Sequence, residues 1–346
     1  MARSMRLVRF RARALARLLA LVVLPLSAVS WIAGDNTTSG AARGTLPPPG
    51  RTVPPAPALD RFVDRERAVR FPDRPPFRAW ALGPNGIVLG SGENGDGRVW
   101  VLGPPADRRI AIDPPPRQPW GYVAGGSVAA WVEVRGDRFE LSCADPTADR
   151  PAPRPVSRTG VAAMDIPVHA SADVLVWTDE TGSAHWVRGC DGAPRTLDVR
   201  DVLGLTYPEV YYAGPNLVRA LNLETGLSSD VAITATPDAF AANYVYAAWV
   251  GGDTLTVLDR RDGSRRRVRL PGAPVFGPDA AAGRLTIGDR LVAYALRPPG
   301  SDLEYGFVYD VVSGEGVTLP TEVFAGRDRL LWREQTSYLV AAIRPA

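Results

Sequence analysis

The sequence lacks lysine and has little histidine or cysteine. All 40 basic residues in its 346 positions are arginine, which indicates a GC-rich coding bias. The two histidines, His169 and His185, have no cysteine or carboxylate at metal-ligand spacing, so both are predicted to be structural. No G-x-S-x-G, H-E-x-x-H or P-loop string occurs, which argues against a hydrolase built on those motifs. The residues predict no metal site and no cofactor.

The first 33 residues have the layout of an export signal. Six arginines and no acid precede an apolar run from Leu18 to Ala33. As a helix this run would span about 24 Å, short of the roughly 30 Å of a bilayer core. Small residues before Trp31 offer a cleavage site. A cleaved signal peptide and a signal anchor therefore both remain open, and no cysteine directly follows the run to carry a lipid.

The charge of the remaining chain is slightly negative. The whole sequence has 40 basic and 37 acidic residues, a net charge of +3. Removing the six leader arginines leaves 34 against 37, or −3. This composition gives no support to a nucleic-acid partner. Residues 34–66 are rich in proline and glycine, which predicts a semi-extended linker or stalk before a domain over residues 67–346.

A strand-like run that ends in an aromatic residue recurs from about Phe77 onward. The spacings between these aromatics are 46, 34, 38, 45 and 38 residues. A period near 40 residues is typical of a repeat fold. The aromatic residues are Trp131, Trp177, Tyr211, Trp249, Tyr294 and Trp332.

Each repeat contains further strands and tight turns. Asp191-Gly192, Thr225-Gly226 and Asp262-Gly263 separate alternating runs, a strong hairpin pattern. Four antiparallel strands in about 40 residues predict a propeller blade. Seven units are expected, with six or eight if the irregular second or sixth unit is misassigned. Their ranges are 77–115, 118–157, 163–200, 204–234, 237–270, 283–319 and 321–344.

The seventh unit lacks its fourth strand. Residues 67–72 resemble residues 267–271, the end of the fifth unit, closely enough to supply that strand. An N-terminal strand would then close the ring and cover the edges that an open propeller exposes. The predicted fold is therefore an all-β, seven-bladed propeller after an N-terminal hydrophobic helix and a proline-rich linker.

Two segments of the repeats carry a family resemblance. Residues 171–179 and 287–294 resemble the WD40-like repeat of TolB-type β-propellers, in which a Ser-Pro-Asp-Gly turn precedes a Leu-Ala-Phe strand. Residues 222–226 are also similar to the quinoprotein-type propeller repeat but lack the tryptophan that follows it there. The resemblance covers about 270 residues. It implies a binding scaffold and supplies no catalytic residues to carry over.

Three local patterns have both a functional and a structural interpretation. The G-x-G-x-x-G string at residues 90–95 leads into a strand rather than a helix, so a hairpin turn is favoured over a dinucleotide site. Cys143 and Cys190 occupy matching places in neighbouring units, which leaves a disulfide open because such sites tend to diverge. Six arginines in residues 260–269 predict either an anion-binding patch or, as we favour, a solvated outer strand.

Carboxylates recur near the start of the first strand of several units. In a propeller those positions approach the mouth of the central channel, so the four acids predict an acidic rim that binds a cation or a basic group. They are Asp165, Glu209, Asp238 and Glu322.

The expected function is a non-enzymatic, extracytoplasmic propeller that binds a protein or a cell-envelope polymer. It would be secreted, or attached to the membrane through an uncleaved leader. The alternative is a glycan hydrolase or lyase that uses the rim carboxylates. That chemistry needs two carboxyl groups about 5–10 Å apart, one of them with a raised pKa.

Overall fold

The computed structural model describes fourteen segments of the chain. They are residues 57–71, 77–84, 86–92, 99–103, 108–112, 120–135, 138–157, 168–179, 181–215, 217–231, 237–270, 283–296, 304–335 and 337–345. The predicted leader, most of the predicted linker and Asp165 lie outside these residues. Two short 3-10 helices, η1 (Pro57–Arg61) and η2 (Arg65–Arg67), precede the strands. No helix in the described residues is long and apolar enough to cross a membrane.

The described strands form seven antiparallel sheets of four, one for each predicted repeat. Blade 1 contains β2 (Phe77–Leu82), β3 (Val88–Gly92), β4 (Val99–Gly103) and β5 (Arg108–Ala111); blade 2 contains β6 (Trp120–Ala124), β7 (Ala129–Arg135), β8 (Arg138–Ala144) and β9 (Arg154–Ser157). Blade 3 contains β10 (Val168–Ser171), β11 (Val174–Thr178), β12 (Ala184–Arg188) and β13 (Arg195–Leu197).

The next three blades repeat this order. Blade 4 contains β14 (Val202–Thr206), β15 (Glu209–Ala213), β16 (Val218–Asn222) and β17 (Ser228–Val231). Blade 5 contains β18 (Ala239–Ala242), β19 (Tyr246–Gly251), β20 (Thr254–Asp259) and β21 (Arg265–Arg269). Blade 6 contains β22 (Arg284–Ile287), β23 (Leu291–Leu296), β24 (Tyr305–Asp310) and β25 (Gly316–Leu319).

Blade 7 takes strands from both ends of the described chain. It contains β26 (Val323–Ala325), β27 (Arg329–Glu334) and β28 (Ser337–Ala342), with β1 (Val69–Phe71) as its outer strand. In the register, Val69 pairs with Val340 and Phe71 with Tyr338. The prediction of seven blades closed by an N-terminal strand is confirmed.

The hydrophobic core lies between the blades. The described residues form seven clusters, each shared by two neighbouring blades. Between blades 2 and 3, for example, Val132 and Leu141 pack with Leu175 and Trp177. All six recurrent aromatics lie on the second strand of their blades, where their side chains reach a neighbouring sheet. The aromatic period therefore marks the interfaces that hold the ring together.

Strand direction defines two faces of the ring. We call the face where each first strand begins the upper face, and the face where it turns into the second strand the lower face. Because the strands alternate in direction, the turns between third and fourth strands also lie on the lower face.

The first-to-second turns form an inner ring on the lower face. The Gly126 amide donates to the Ala172 carbonyl over 2.6 Å, and the Asp289 amide donates to the Arg327 carbonyl over 2.7 Å. The Asn243 side chain donates to the Gly288 carbonyl over 2.7 Å. A Cβ atom at Gly288 would overlap the backbone of the next turn, so glycine is required by close approach there.

The described end of the predicted linker packs against the propeller. Leu59, Phe62 and Val63 are buried in the cluster between blades 6 and 7. The Asp64 amide donates to the Ala342 carbonyl over 3.0 Å. Residues 57–66 therefore belong to the folded part of the molecule and cover its core beneath β28.

Candidate functional site

The predicted acidic rim does not assemble as one group at one mouth. Asp238 and Glu322 directly precede the first strands β18 and β26, so they lie on the upper face as expected. Glu209 begins β15, a second strand, and therefore lies on the lower face. Asp165 lies outside the described residues. The correction at Glu209 follows from its blade, whose first strand is β14, upstream of it.

Glu209 lies in a closed network rather than at an open rim. The Tyr211 hydroxyl donates to its carboxylate over 2.6 Å, and the Arg260 guanidinium lies 2.8 Å from it. Burial alone would raise the pKa of Glu209, but the hydrogen bonds from Arg260 and Tyr211 bring it below its ordinary value. This carboxylate ties blade 4 to the third-to-fourth turn of blade 5.

The Asp238 side chain accepts a hydrogen bond within its own blade. Its carboxylate accepts a hydrogen bond of 2.8 Å from the Gly252 amide, in the turn between β19 and β20. Gly252 has a φ of +61°, a conformation that favours glycine, and the carboxylate fixes the amide of that turn. The position is on the upper face, as predicted, but its hydrogen bond is to a turn.

Glu322 is the predicted rim acid that does reach the channel mouth, and it meets arginine there. Its carboxylate lies 3.2 Å from the Arg78 guanidinium, with the two side chains 11% and 16% exposed. The same guanidinium stacks 3.9 Å above the Trp80 ring. Trp80 is itself stacked on Tyr122 of blade 2, with ring centroids 5.3 Å apart.

Two further basic groups lie at the upper mouth. Arg284 begins β22 and His169 is the second residue of β10, so both enter the channel from the same end as Arg78. Sequence reasoning did not select these residues as a site; the common signal is their position at the start of a first strand. The described residues at this face therefore include Asp238 and Glu322 as well as Arg78, His169 and Arg284. Glu304, just before β24, accepts a hydrogen bond from the Glu322 amide over 3.5 Å. The face carries charges of both signs, unlike the acidic rim that the sequence predicts.

A cleft of about 540 Å³ opens on the upper face between blades 3 and 4. Its lining includes Ser183, Thr196, Arg200 and Arg219. Next to it the Asp179 carboxylate accepts from the Thr181 and Ser183 amides over 2.8 and 3.0 Å.

The same carboxylate holds His185 from the neighbouring strand. His185 Nε2 lies 2.7 Å from Asp179, and its Nδ1 lies 3.2 Å from the Thr196 hydroxyl. Thr196 is also the cross-strand partner of His185. His185 thus joins two strands and a turn, which agrees with its predicted structural role.

Cys143 and Cys190 form a disulfide with Cα atoms 5.7 Å apart. The bridge joins blade 2 to blade 3. Cys143 lies within β8, whereas Cys190 lies two residues beyond β12, in the turn before β13, so the two sites are not equivalent in their blades. Arg154 of blade 2 and Asp191 of the same turn form an ion pair across this boundary.

The arginine-rich strand β21 is the exposed outer strand of blade 5. Arg269 pairs with Asp253 at 2.8 Å, and Arg266 donates to the Val311 carbonyl over 2.6 Å. The adjoining Arg261 pairs with Asp259 at 2.6 Å. These contacts agree with the solvated-strand interpretation that the sequence favours.

Gly90, Ser91 and Gly92 of the glycine string belong to β3, and the rest of the string lies outside the described residues. Ser91 of β3 pairs with Val99 of β4 in an antiparallel register. The next described element after the glycines is the strand β4, paired with β3, which agrees with the hairpin interpretation. Within the described residues, no group of three or more His, Cys, Asp or Glu side chains is arranged to hold a metal ion.

Large apolar side chains are exposed on the lower face of blades 4 to 6. Leu227 is 72% exposed, Tyr244 69% and Val312 52%. Leu227 and Val312 lie in the third-to-fourth turns of blades 4 and 6, and Tyr244 lies in the first-to-second turn of blade 5 between them. Arg260 and Arg261 lie on the same face, in the third-to-fourth turn of blade 5. These residues form what we call the lower-face patch.

Comparison with known proteins indicates no activity for this chain. No family model and no curated protein matches the sequence. Solved structures that are similar include "Crystal Structure of Mitotic Checkpoint Complex", at 13% identity and a TM-score of 0.49, covering 88% of this chain and 100% of that chain. Another is "Crystal structure of Kluyvelomyces marxianus Hsv2", at 13% identity and a TM-score of 0.49, covering 74% and 87%. The sheet topology itself shows that this chain is a seven-bladed β-propeller.

Proposed function

We propose that this chain is a non-enzymatic, extracytoplasmic scaffold that binds a protein partner through the lower-face patch. The observation that carries the proposal is the exposure of Leu227, Tyr244 and Val312 on one face of three adjacent blades. Exposed apolar side chains that gather on one face are typical of interaction sites, whereas scattered ones are ordinary.

The composition of the patch fits a protein interface. Tyrosine and arginine are the residue types that most often dominate binding energy at such interfaces. Tyr244 is anchored to the neighbouring blade through a hydrogen bond from its hydroxyl to the Tyr207 carbonyl. The Arg261 guanidinium lies 5.7 Å from the Tyr246 ring. Aromatic side chains that are held in place lose little entropy on binding.

Two features support the extracytoplasmic location. The first 33 residues have the layout of an export signal. The disulfide between Cys143 and Cys190 is of a kind that persists in oxidising compartments and is rare in the cytosol.

The glycan-hydrolase alternative gains no support from the described carboxyl groups. A general acid needs a raised pKa. Every resolved carboxyl shift in the described residues lowers the pKa instead, and Glu209 of the predicted rim is among them. The groups are Asp179, Glu209, Asp253, Asp259, Asp262 and Asp310.

The binding test compares matched variants of the full chain in its native host. Proteins crosslinked in living cells to the wild type are identified by mass spectrometry beside those of a triple Leu227→Ser, Tyr244→Ser, Val312→Ser variant. A double Asp198→Ser, Arg200→Ser variant alters exposed residues of the upper face as a control. We expect a specific partner to be retained by wild type and control and lost from the triple variant. Equal recovery with all three chains, or no partner with any, would contradict the proposal.

The location test uses a C-terminal fusion to alkaline phosphatase, an enzyme that requires an oxidising compartment to form its own disulfides. We expect an active fusion, and an inactive one after deletion of residues 1–33. An inactive fusion of the intact chain would contradict export.

A further inference from the structure

The upper mouth of the channel contains a cation with no ionic partner. Arg284 of blade 6 reaches across the channel, where its guanidinium donates to the Trp80 carbonyl of blade 1 and, over 3.5 Å, to the Tyr122 carbonyl of blade 2. The Phe324 ring of blade 7 lies 5.8 Å away. In the described residues Arg284 makes no ion pair, because the nearby Glu322 carboxylate contacts Arg78.

This arrangement destabilises the fold when no ligand is bound. Burial lowers the pKa of Arg284, the negative charge of Glu322 opposes the shift, and the positive charge of Arg78 adds to it. The Glu322 carboxylate therefore pairs with the Arg78 guanidinium and acts on the Arg284 guanidinium only through its charge. A largely buried charge without a counter-charge destabilises a fold, so the position favours an anion supplied from outside.

The same mouth contains an unfilled hydrogen-bond acceptor. His169 donates from its ring to the Val202 carbonyl, which leaves the other ring nitrogen as an acceptor. That nitrogen, Nε2, is buried and has no hydrogen-bond partner among the residues that the structure describes. Burial lowers the pKa of His169 to about 4, the bond to Val202 opposes the shift, and the charge of Arg284 adds to it. His169 is thus a neutral acceptor beside a cation.

A third polar atom here is also unsatisfied. Arg78 donates to Glu322 through Nη2, and no group in the described part of the chain accepts from its buried Nε. The mouth therefore offers cationic donors on blades 1 and 6 and one neutral acceptor on blade 3. A ligand that satisfies all of them must accept hydrogen bonds through an anionic group and donate one through a hydroxyl.

We propose that the upper mouth of the central channel binds a small hydroxylated carboxylate, of the sugar-acid class. The carboxylate faces the guanidiniums of Arg284 and Arg78, and a hydroxyl of the same molecule donates to Nε2 of His169. This site is on the opposite face from the lower-face patch and is independent of the protein-binding function.

The chain is well suited to a direct test because it has only two histidines. Long-range ¹H–¹⁵N spectra of the full chain resolve His169 and His185 as two imidazoles, with His185 as an internal control. The probes are D-glucuronate, which has hydroxyls and a carboxylate, D-glucose, which has only hydroxyls, and acetate, which has only the carboxylate.

We expect D-glucuronate to shift Nε2 of His169 saturably and to leave His185 unchanged. D-glucose and acetate are expected to bind at least tenfold more weakly. No shift of His169 with D-glucuronate would overturn the proposal. An equal response to all three probes would overturn it as well, since it would show that the mouth simply exchanges channel water.

A variant pair separates binding from structure. Arg284→Met keeps the length of the side chain and removes its charge, and Arg267→Met makes the same change on the exposed strand β21. We expect Arg284→Met to lose D-glucuronate binding by at least tenfold with an unlowered melting temperature, because an uncompensated buried charge has been removed. The control is expected to bind normally. D-glucuronate binding that survives in Arg284→Met refutes the site even if that variant is less stable.

Discussion

At the scale of single residues, Asp179 is the acid whose contribution to stability depends most clearly on pH. Its carboxylate is 11% exposed and accepts hydrogen bonds from a turn and from His185. Burial would raise its pKa, but the hydrogen bonds from Thr181, His185 and Ser183 lower it to about 2. Because the folded pKa lies below the unfolded one, this stabilisation is present above about pH 4 and is lost as the pH falls toward 2.

We therefore expect Asp179→Asn to lower the free energy of unfolding by about 2 kcal/mol at neutral pH. Urea denaturation measures it. The difference from wild type should narrow between pH 5 and pH 3, whereas the exposed control Asp198→Asn should differ little at any pH. If the difference in free energy of unfolding stayed constant from pH 5 to pH 3, the stabilisation would not come from the ionised carboxylate of Asp179.

The residue scale is also where sequence reasoning was weakest. Glu209 precedes Tyr211 by two positions, and a period-two pattern places both on one side of a strand. The pattern does not tell which strand of the blade it is, and that choice decides the face. His169 and Arg284 could not be paired from sequence, since they lie in blades 3 and 6 and meet only when the ring closes.

At the scale of the element, three second strands share an internal hydrogen bond between an aromatic and a glutamate two positions away. Trp131 donates to Glu133 over 2.9 Å, and Trp332 donates to Glu334 over 2.8 Å. The hydrogen bond from Tyr211 to Glu209 is of the same kind, except that the glutamate precedes the aromatic residue. It lets a blade interface bury a carboxylate, as the 1% exposure of Glu133 shows.

We expect Trp131→Phe to lower the free energy of unfolding by about 2–3 kcal/mol, because it removes packing and takes a donor from a buried carboxylate. Trp249→Phe changes the equivalent, half-buried residue of blade 5 and should lose about 1 kcal/mol or less. Urea denaturation of both variants measures the contrast. Equal losses would show that the aromatic ring alone matters.

Elements were the part of the structure that the sequence predicted best. The aromatic strands and the Asp-Gly turns recur locally, so each blade could be placed from its own residues. The predicted fourth unit began at residue 204, whereas β14 begins at Val202. The linker boundary was harder to place, because Leu59 and Phe62 stand alone among prolines and small residues and only the finished core shows what they cover.

At the scale of the whole molecule, closure of blade 7 connects the two ends of the described chain. Phe71 is 2% exposed and packs in the cluster between blades 7 and 1. We expect Phe71→Ala to cost about 3–4 kcal/mol, the usual loss for a large buried side chain. Arg70→Ala, on the exposed side of the same strand, is the matched control and should cost less than about 0.5 kcal/mol. Urea denaturation that gave equal effects would contradict the role of β1 in closure.

The disulfide joins neighbouring blades, so its effect also belongs to the whole molecule. We expect its reduction to lower the free energy of unfolding by about 3 kcal/mol, since the bridge restricts the unfolded chain. The measurement is urea denaturation with and without dithiothreitol. A double Cys143→Ser, Cys190→Ser variant serves as the control that dithiothreitol should leave unchanged. A wild type that is equally stable in both conditions would contradict this expectation.

The pairing of β1 with β28 also sets the timing of biogenesis. Phe71 is synthesised long before its partner Tyr338, so β1 stays unpaired until the strands of blade 7 have emerged. Every product of interrupted translation would present unpaired strand edges, which proteases and chaperones recognise as unfinished. Only a chain that has been translated through blade 7 can close its ring, so truncated fragments stay open and are removed.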